Sequence, residues 1–203
     1  RDYGKSVRDM DVGMLPPKLA QMMLNISGEA RGIYDPFVGL GTVLIEAAHG
    51  GYWALLGSDL APEMVEASRE NLQAYLGTSR TRVETFEIFE QDASKIGSHP
   101  QLGDWLTDMA IVTEGYLGEV MMAKTITPER VEMERLKLEK LYDGFFGGLK
   151  KLGFKGNIVI SLPFWEIQKK YFYCEEVYAV LEKYGFKSAQ LLPGNIEYKQ
   201  TKT

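Results

Sequence analysis

The stretch R-G-I-Y-D-P-F-V-G-L-G-T-V-L-I-E-A-A-H-G-G, residues 31–51, constrains the fold more than any other part of the chain. A short apolar run ends on Asp35, glycines at 39 and 41 permit a tight turn, and a helical pattern follows until two glycines stop it. Strand, glycine turn and helix make the first half of a βαβ unit, whose crossover joins parallel strands.

The alternation continues. Y-W-A-L-L-G-S-D-L predicts a second strand ending on Asp59, and P-E-M-V-E-A-S-R-E-N-L-Q-A-Y-L a helix with Pro62 and Glu63 in its first turn. Residues 83–89 read as a third strand, 109–113 as a fourth, 128–152 as a long helix capped by Thr127, and 157–162 as a fifth strand. A helix over 168–184 and a sixth strand over 186–192 complete the series, and a helix over 17–26 precedes it. Solid apolar strands alternating with helices predict a doubly wound α/β fold with a mostly parallel sheet.

A chain of 203 residues with 45% hydrophobic side chains can bury about 70% of its unfolded surface, so 1–203 is expected to form one domain, with 1–28 leading into it. No run approaches the roughly 18 apolar residues of a membrane helix, and R-D-Y-G-K offers neither an initiator Met nor a signal-peptide core. The chain therefore reads as part of a longer protein, with a last strand cut short in N-I-E-Y-K-Q-T-K-T. Its single cysteine, Cys174, excludes an internal disulfide, and two histidines give no metal-ligand spacing, so a cytoplasmic, metal-free protein is expected. The net charge of -5 argues against a domain that grips nucleic acid unaided, since phosphates demand a basic face.

The turn after the first strand is neither a dinucleotide fingerprint, because Leu44 occupies the third glycine position, nor a phosphate loop, because no G-K-[ST] follows. An acid before a single G-x-G suits a cationic, phosphate-free adenosine ligand such as S-adenosylmethionine. Asp59 lies 24 positions after Asp35, near the spacing of about 20 at which such folds set a carboxylate on ribose hydroxyls. Asp92, after the third strand, is placed to accept from an adenine amino group. Any one of these acids also reads as a helix N-cap; three at successive strand ends favour a ligand site.

R-D-M-D-V-G-M-L-P-P-K-L-A-Q, D-P-F-V-G-L-G-T-V-L-I-E-A, G-S-D-L-A-P-E-M-V-E-A-S-R-E-N-L and Q-D-A-S together resemble the methyltransferase domain of the RNA methylase family that includes the THUMP-associated tRNA guanine-N2 methyltransferases. The resemblance implies a Rossmann-like, class I S-adenosylmethionine-dependent methyltransferase that yields S-adenosylhomocysteine. It also implies an RNA substrate, tRNA foremost, recognised with help from a domain absent from this chain. By the same resemblance Met14, Leu15 and Pro16 would line the methionine end, and Asp35, Phe37, Gly39, Gly41 and Thr42 the glycine-loop wall. Asp59 and Leu60 would hold the ribose and cover the adenine, and Asp92 and Ala93 would meet the adenine edge.

At the end of the fourth strand the family keeps Asn or Asp, two prolines and an aromatic residue, which present acceptors to an exocyclic base amine and a ring to the base face. This chain has T-E-G-Y instead. Thr113 or, one register on, Glu114 takes the polar position, Tyr116 keeps the ring, and Glu114 offers a carboxylate acceptor or general base. Three readings stay open: methylation of a base amine by this altered motif, methylation of a protein or small molecule, and cofactor binding without turnover. Farther on, Phe164 and Trp165 in S-L-P-F-W-E read either as a surface for unstacked bases or as a turn covering the sheet edge, and E-R-V-E-M-E-R-L-K-L-E-K as a solvated helix face.

Overall fold

The computed structural model of the chain describes residues 15–119, 121 and 125–189. In chain order the elements are helix α1 (Pro17–Ile26), strand β1 (Gly32–Asp35), α2 (Thr42–Gly50), β2 (Ala54–Asp59), α3 (Pro62–Thr78) and β3 (Thr85–Glu90). A 3-10 segment (Ala93–Ser98), α4 (Leu102–Trp105), β4 (Met109–Thr113) and the long α5 (Pro128–Lys151) follow. The described residues end with β5 (Ile158–Ile160), the strands β6 (Phe164–Ile167) and β7 (Lys170–Tyr173), and α6 (Glu175–Lys183).

Five strands form one parallel sheet in the order β3-β2-β1-β4-β5. The chain order reverses direction between β1 and β4, and it is beyond the carboxyl ends of strands at such a switch point that open α/β sheets bind ligands. The two faces are read off β4, where all five residues are buried. Met109 and Ile111 join Tyr34 and Leu56 in the cluster under α5, α6 and the 3-10 segment, whereas Ala110 and Val112 join Ile33 and Leu55 in the cluster under α1, α2 and α3. Strand periodicity thus divides one apolar run between two helical layers, which is the doubly wound fold expected.

Three sequence expectations fail. The helix over 168–184 begins only at Glu175, because β6 and β7 form an antiparallel hairpin closed by Gln168 and Lys169, both with positive φ, at +51° and +66°. The described part of the expected sixth strand, residues 186–189, is not a strand; its remainder lies outside the described residues. The charged stretch on α5 is not wholly solvated, for Glu134 is buried beneath Lys137.

The tightest element contact is between α5 and the 3-10 segment, and glycine makes it possible. A Cβ on Gly144 would lie 2.4 Å from the Ser94 carbonyl oxygen, and one on Gly148 2.8 Å from the Gly97 nitrogen. Backbone meets backbone there, which fixes Asp92 and Ala93 at the mouth of the sheet. No helix of the described residues is long and apolar enough to cross a membrane.

Candidate functional site

A cleft of about 980 Å³ opens at the carboxyl ends of β1, β2, β3 and β4. Of the residues expected there, Leu15, Asp35, Phe37, Gly39, Thr42, Asp59, Leu60, Asp92, Ala93, Glu114 and Tyr116 line it. Pro16, Gly41 and Thr113 do not, and Met14 lies outside the described residues.

Asp35 ends β1 and is almost wholly buried. Burial pushes its carboxyl up to about 7, and the carboxylates of Asp59 and Glu114 add to the rise. The Thr113 hydroxyl and the Phe37 amide, which donates at 3.1 Å, oppose it. A carboxyl so placed gains most from a cationic ligand, whose charge replaces the solvation that burial removed. Phe37 itself is wedged against Tyr142 and Phe145, with ring centroids 6.3 and 6.1 Å away.

The glycine turn depends on Asp59 at the end of β2. One carboxylate oxygen accepts from the Gly39 amide at 3.0 Å and the other from the Ala61 amide at 3.1 Å, so the acid ties the loop of β1 to the start of α3. Each oxygen retains a second lone pair for a ribose hydroxyl. Gly39 has φ +48°, and a Cβ there would meet nothing within 4 Å, so the loop borders open cleft. Gly41 acts differently: with φ +79° it is the N-cap of α2 and packs against Ser68 of α3, which takes it out of the lining. Pro16 likewise caps α1.

Asp92 caps the 3-10 segment, accepting from the Ser94 amide and hydroxyl at 2.9 and 2.6 Å and pairing with Lys95 at 2.9 Å. Partial burial would raise its carboxyl, but Ser94 and Lys95 together hold it below the usual carboxylate range. Its charge is already committed, so an adenine amine reaching this edge would find Asp92 as an anchored, fully ionised acceptor. Ala93 beside it is buried.

The T-E-G-Y segment follows β4. Thr113 is fully buried; its hydroxyl bonds to Asp35 and accepts from the Gly115 amide at 3.2 Å, so it reaches the cleft only through those partners. Gly115 has φ +76°, a conformation closed to proline, and a Cβ on it would lie 2.6 Å from the Tyr142 hydroxyl. The loss of the family's prolines is therefore coupled to a different backbone path, one that turns on glycine. Tyr142 reaches the Tyr116 carbonyl at 3.5 Å. Glu114 lines the cleft half-buried, and desolvation raises its carboxyl; Tyr116 lines it from a more exposed position.

Opposite this loop the cleft is lined by Lys137 and Leu141, one turn apart on α5. Lys137 pairs with Glu119 at 3.0 Å and with buried Glu134, whose other oxygen accepts from the Glu119 amide at 3.3 Å. These residues escaped the sequence reading because alternating charges at helical spacing describe a solvated face equally well. Met64 and Gln91 also line the cleft; both stand inside the quoted motifs, but neither was assigned a role from them. Among the described residues no group of three His, Cys, Asp or Glu could hold a metal ion.

A cleft with a glycine turn, a near-neutral buried acid and no lysine in that turn has the donor set for an adenosine sulfonium rather than a nucleotide phosphate. Sequence comparison points the same way. The tRNA (guanine(10)-N2)-dimethyltransferase of Methanothermobacter thermautotrophicus is 39% identical over 98 residues, which are 47% of this chain and 27% of that protein. Its namesake from Pyrococcus abyssi is 33% identical over 135 residues, 66% of this chain and 37% of that one. The matched parts amount to well under half of either relative. A solved structure, that of a possible methylase from Clostridium difficile 630, shares the fold with a TM-score of 0.53 at 18% identity, covering 79% of this chain and 46% of its own. Residues 5–96 of the chain match the UPF0020 family, described as an RMKL-like methyltransferase domain.

Proposed function

We propose that this chain is the catalytic domain of a cytoplasmic S-adenosylmethionine-dependent methyltransferase that modifies an exocyclic base amine in tRNA, with guanine N2 as the amine. The observation that carries the reading is the cleft itself: Asp35, Asp59 and Asp92 stand at three successive strand ends around it, with Glu114 and Tyr116 on the acceptor side. The named relatives act on tRNA guanine N2, which supports the choice of substrate. They are much longer than the matched segment, and the acidic balance of this chain suits a protein in which another domain holds most of the RNA.

Bound S-adenosylmethionine supplies a methyl group already activated by its sulfonium sulfur. Asp35 holds the positive end of the ligand, Asp59 the ribose, and the Asp92–Ala93 edge the adenine. Tyr116 stacks on the acceptor base, and Glu114 accepts hydrogen bonds from its amine. As the amine nitrogen takes the methyl group, the methyl–sulfur bond would break to leave neutral S-adenosylhomocysteine, and the amine would shed a proton to the Glu114 carboxylate, whose raised affinity for protons suits that task. Position and exclusion of water supply most of the barrier reduction. The departure of T-E-G-Y from the family pattern favours one second reading, a domain that binds cofactor without turnover.

Calorimetry with S-adenosylmethionine, followed by transfer of labelled methyl to undermodified tRNA, tests the reading. Asp59→Ala is expected to weaken cofactor binding by about tenfold, roughly 1.4 kcal/mol. Glu114→Gln is expected to leave that affinity unchanged and lower kcat by a factor of about 10² or more. Cofactor binding with no transfer to any RNA would establish the second reading, and no binding by the parent chain would remove both.

A further inference from the structure

The cleft is electrically lopsided. Asp35, Asp59, Glu63, Asp92 and Glu114 line it, and Lys137 is the one basic side chain among the described residues that do so. Carboxylates suit a sulfonium and accept from an exocyclic amine, but they offer nothing to the acceptor atoms of a base. Lys137 stands on α5, across from the T-E-G-Y loop.

The lysine is held there. Its ammonium pairs with Glu119 at 3.0 Å and with Glu134, which is only 3% exposed on the same helix. Glu134 in turn accepts from the Glu119 amide at 3.3 Å, and a Cβ on Gly118 would lie 3.2 Å from its Oε2. Gly118 has φ +84°, so a second left-handed glycine brings the acceptor loop against α5, as Gly115 brings it against Tyr142. Both ends of the loop thus rest on one face of the helix, at points about two turns apart. The Tyr116 hydroxyl feels the same charges: desolvation raises it most, Glu134 and Glu119 raise it further, and Lys137 opposes them. The ammonium therefore lies near the ring assigned to the acceptor base. Glu134 and Glu119 keep it charged, and among the described residues they take two of its three protons, which leaves one for the cleft.

We propose that Lys137 is a specificity-determining residue that donates a hydrogen bond to the carbonyl oxygen, O6, of the guanine whose amine is methylated. The inference rests on the guanine-N2 reading of the cleft and adds the contact that selects this base. Along its Watson–Crick edge guanine runs donor, donor, acceptor, from the N2 amine through N1–H to O6. Glu114 accepts at the first end, and Lys137 on the facing helix donates at the other. Adenine in the same place would set its own amine against the ammonium, donor to donor. Two carboxylates beside one ammonium leave that corner net negative, which disfavours a phosphate there and tolerates a neutral carbonyl.

Transfer of labelled methyl to an undermodified tRNA transcript locates the accepting guanosine. A second transcript carries 2-aminopurine riboside at that position, which keeps the amine and lacks O6. For the 203-residue chain kcat/KM should be lower on the analogue by about tenfold or more. In Lys137→Met that penalty should shrink by about tenfold, because the intrinsic difference between the amines and the loss of N1–H are common to both proteins and cancel. Lys137→Met with Glu134→Gln leaves no buried carboxylate unpaired and still accepts from the Glu119 amide, so it should show the same smaller penalty even where the single variant folds poorly. Affinity for S-adenosylmethionine, read by calorimetry, should not fall in the double variant. An undiminished penalty there, with cofactor binding intact and guanosine still labelled by the parent chain, would overturn the contact alone. Loss of cofactor binding in both variants would assign the lysine to the framework of the cleft instead. Label on a base other than guanine, or a parent chain that binds cofactor and methylates no tRNA, would overturn the underlying reading and the lysine's role with it.

Discussion

Asp35 illustrates how one residue couples stability to ligand charge. Its carboxyl, raised to about 7 mainly by burial, keeps its proton in the folded chain over a range, from about pH 4 to about 7, in which the unfolded chain has lost it. Its contribution to stability is thus fully present below about pH 4 and lost progressively as pH rises to about 7. Asp35→Asn cannot ionise yet still accepts from Phe37 and Thr113, so at pH 8 it should raise Tm by a few degrees, with the gain shrinking below pH 7 and nearly absent at about pH 4. A lower Tm at pH 8 would show that the ionised acid is better solvated than its burial implies. Because a cationic ligand needs the carboxylate, S-adenosylmethionine should bind more tightly as pH rises from 6 to about 7, by up to about tenfold per unit, in parent chain but not in Asp35→Asn. Gly115 gives a second expectation. Gly115→Ala should cost about 1–2 kcal/mol for its left-handed backbone and more for the contact with the Tyr142 hydroxyl, measured by urea unfolding. In a Tyr142→Phe background the cost should shrink; an equal cost would mean that the hydroxyl is no obstacle. The acids at strand ends were legible in the sequence because motif spacing determines them. That Thr113 serves Asp35 instead of facing the cleft was not, since alternation along β4 says which face a residue takes but nothing of its partner across the sheet.

Among the elements, legibility tracks how much each is specified locally. Helix α1 and strand β4 have the ends that Pro17, Gly28 and the apolar run of β4 predict. The hairpin was missed because Gln168 and Lys169 occupy positive-φ turn positions where Asn and Gly are the usual signal, and because Q-K-K-Y-F-Y-C-E-E-V-Y scans as a helix start. Tertiary packing of Trp165 and Phe172, not local propensity, selects the strand. The contact of α5 with the 3-10 segment was equally hidden, since Gly144 and Gly148 look like helix weaknesses until their neighbours are seen. Gly148→Ala should therefore destabilise the chain by about 1–3 kcal/mol despite its better helix propensity, and should weaken cofactor binding by shifting Asp92 and Ala93. A gain in stability would mean that the two backbones separate without cost.

At the scale of the whole molecule, 28 acidic side chains oppose 23 basic ones, so the long-range field does not favour a polyanion. If RNA is the substrate, as proposed, this chain by itself is expected to make few phosphate contacts. Two phosphate contacts on a single strand correspond to a slope of log affinity against log salt near about −1.4, about a sevenfold loss between 50 and 200 mM. Titrating a ten-nucleotide single-stranded oligoribonucleotide across that range measures it. A slope of about −4 or steeper would mean that five or more phosphates are neutralised, and this chain would then grip RNA with a basic face of its own despite its acidic balance.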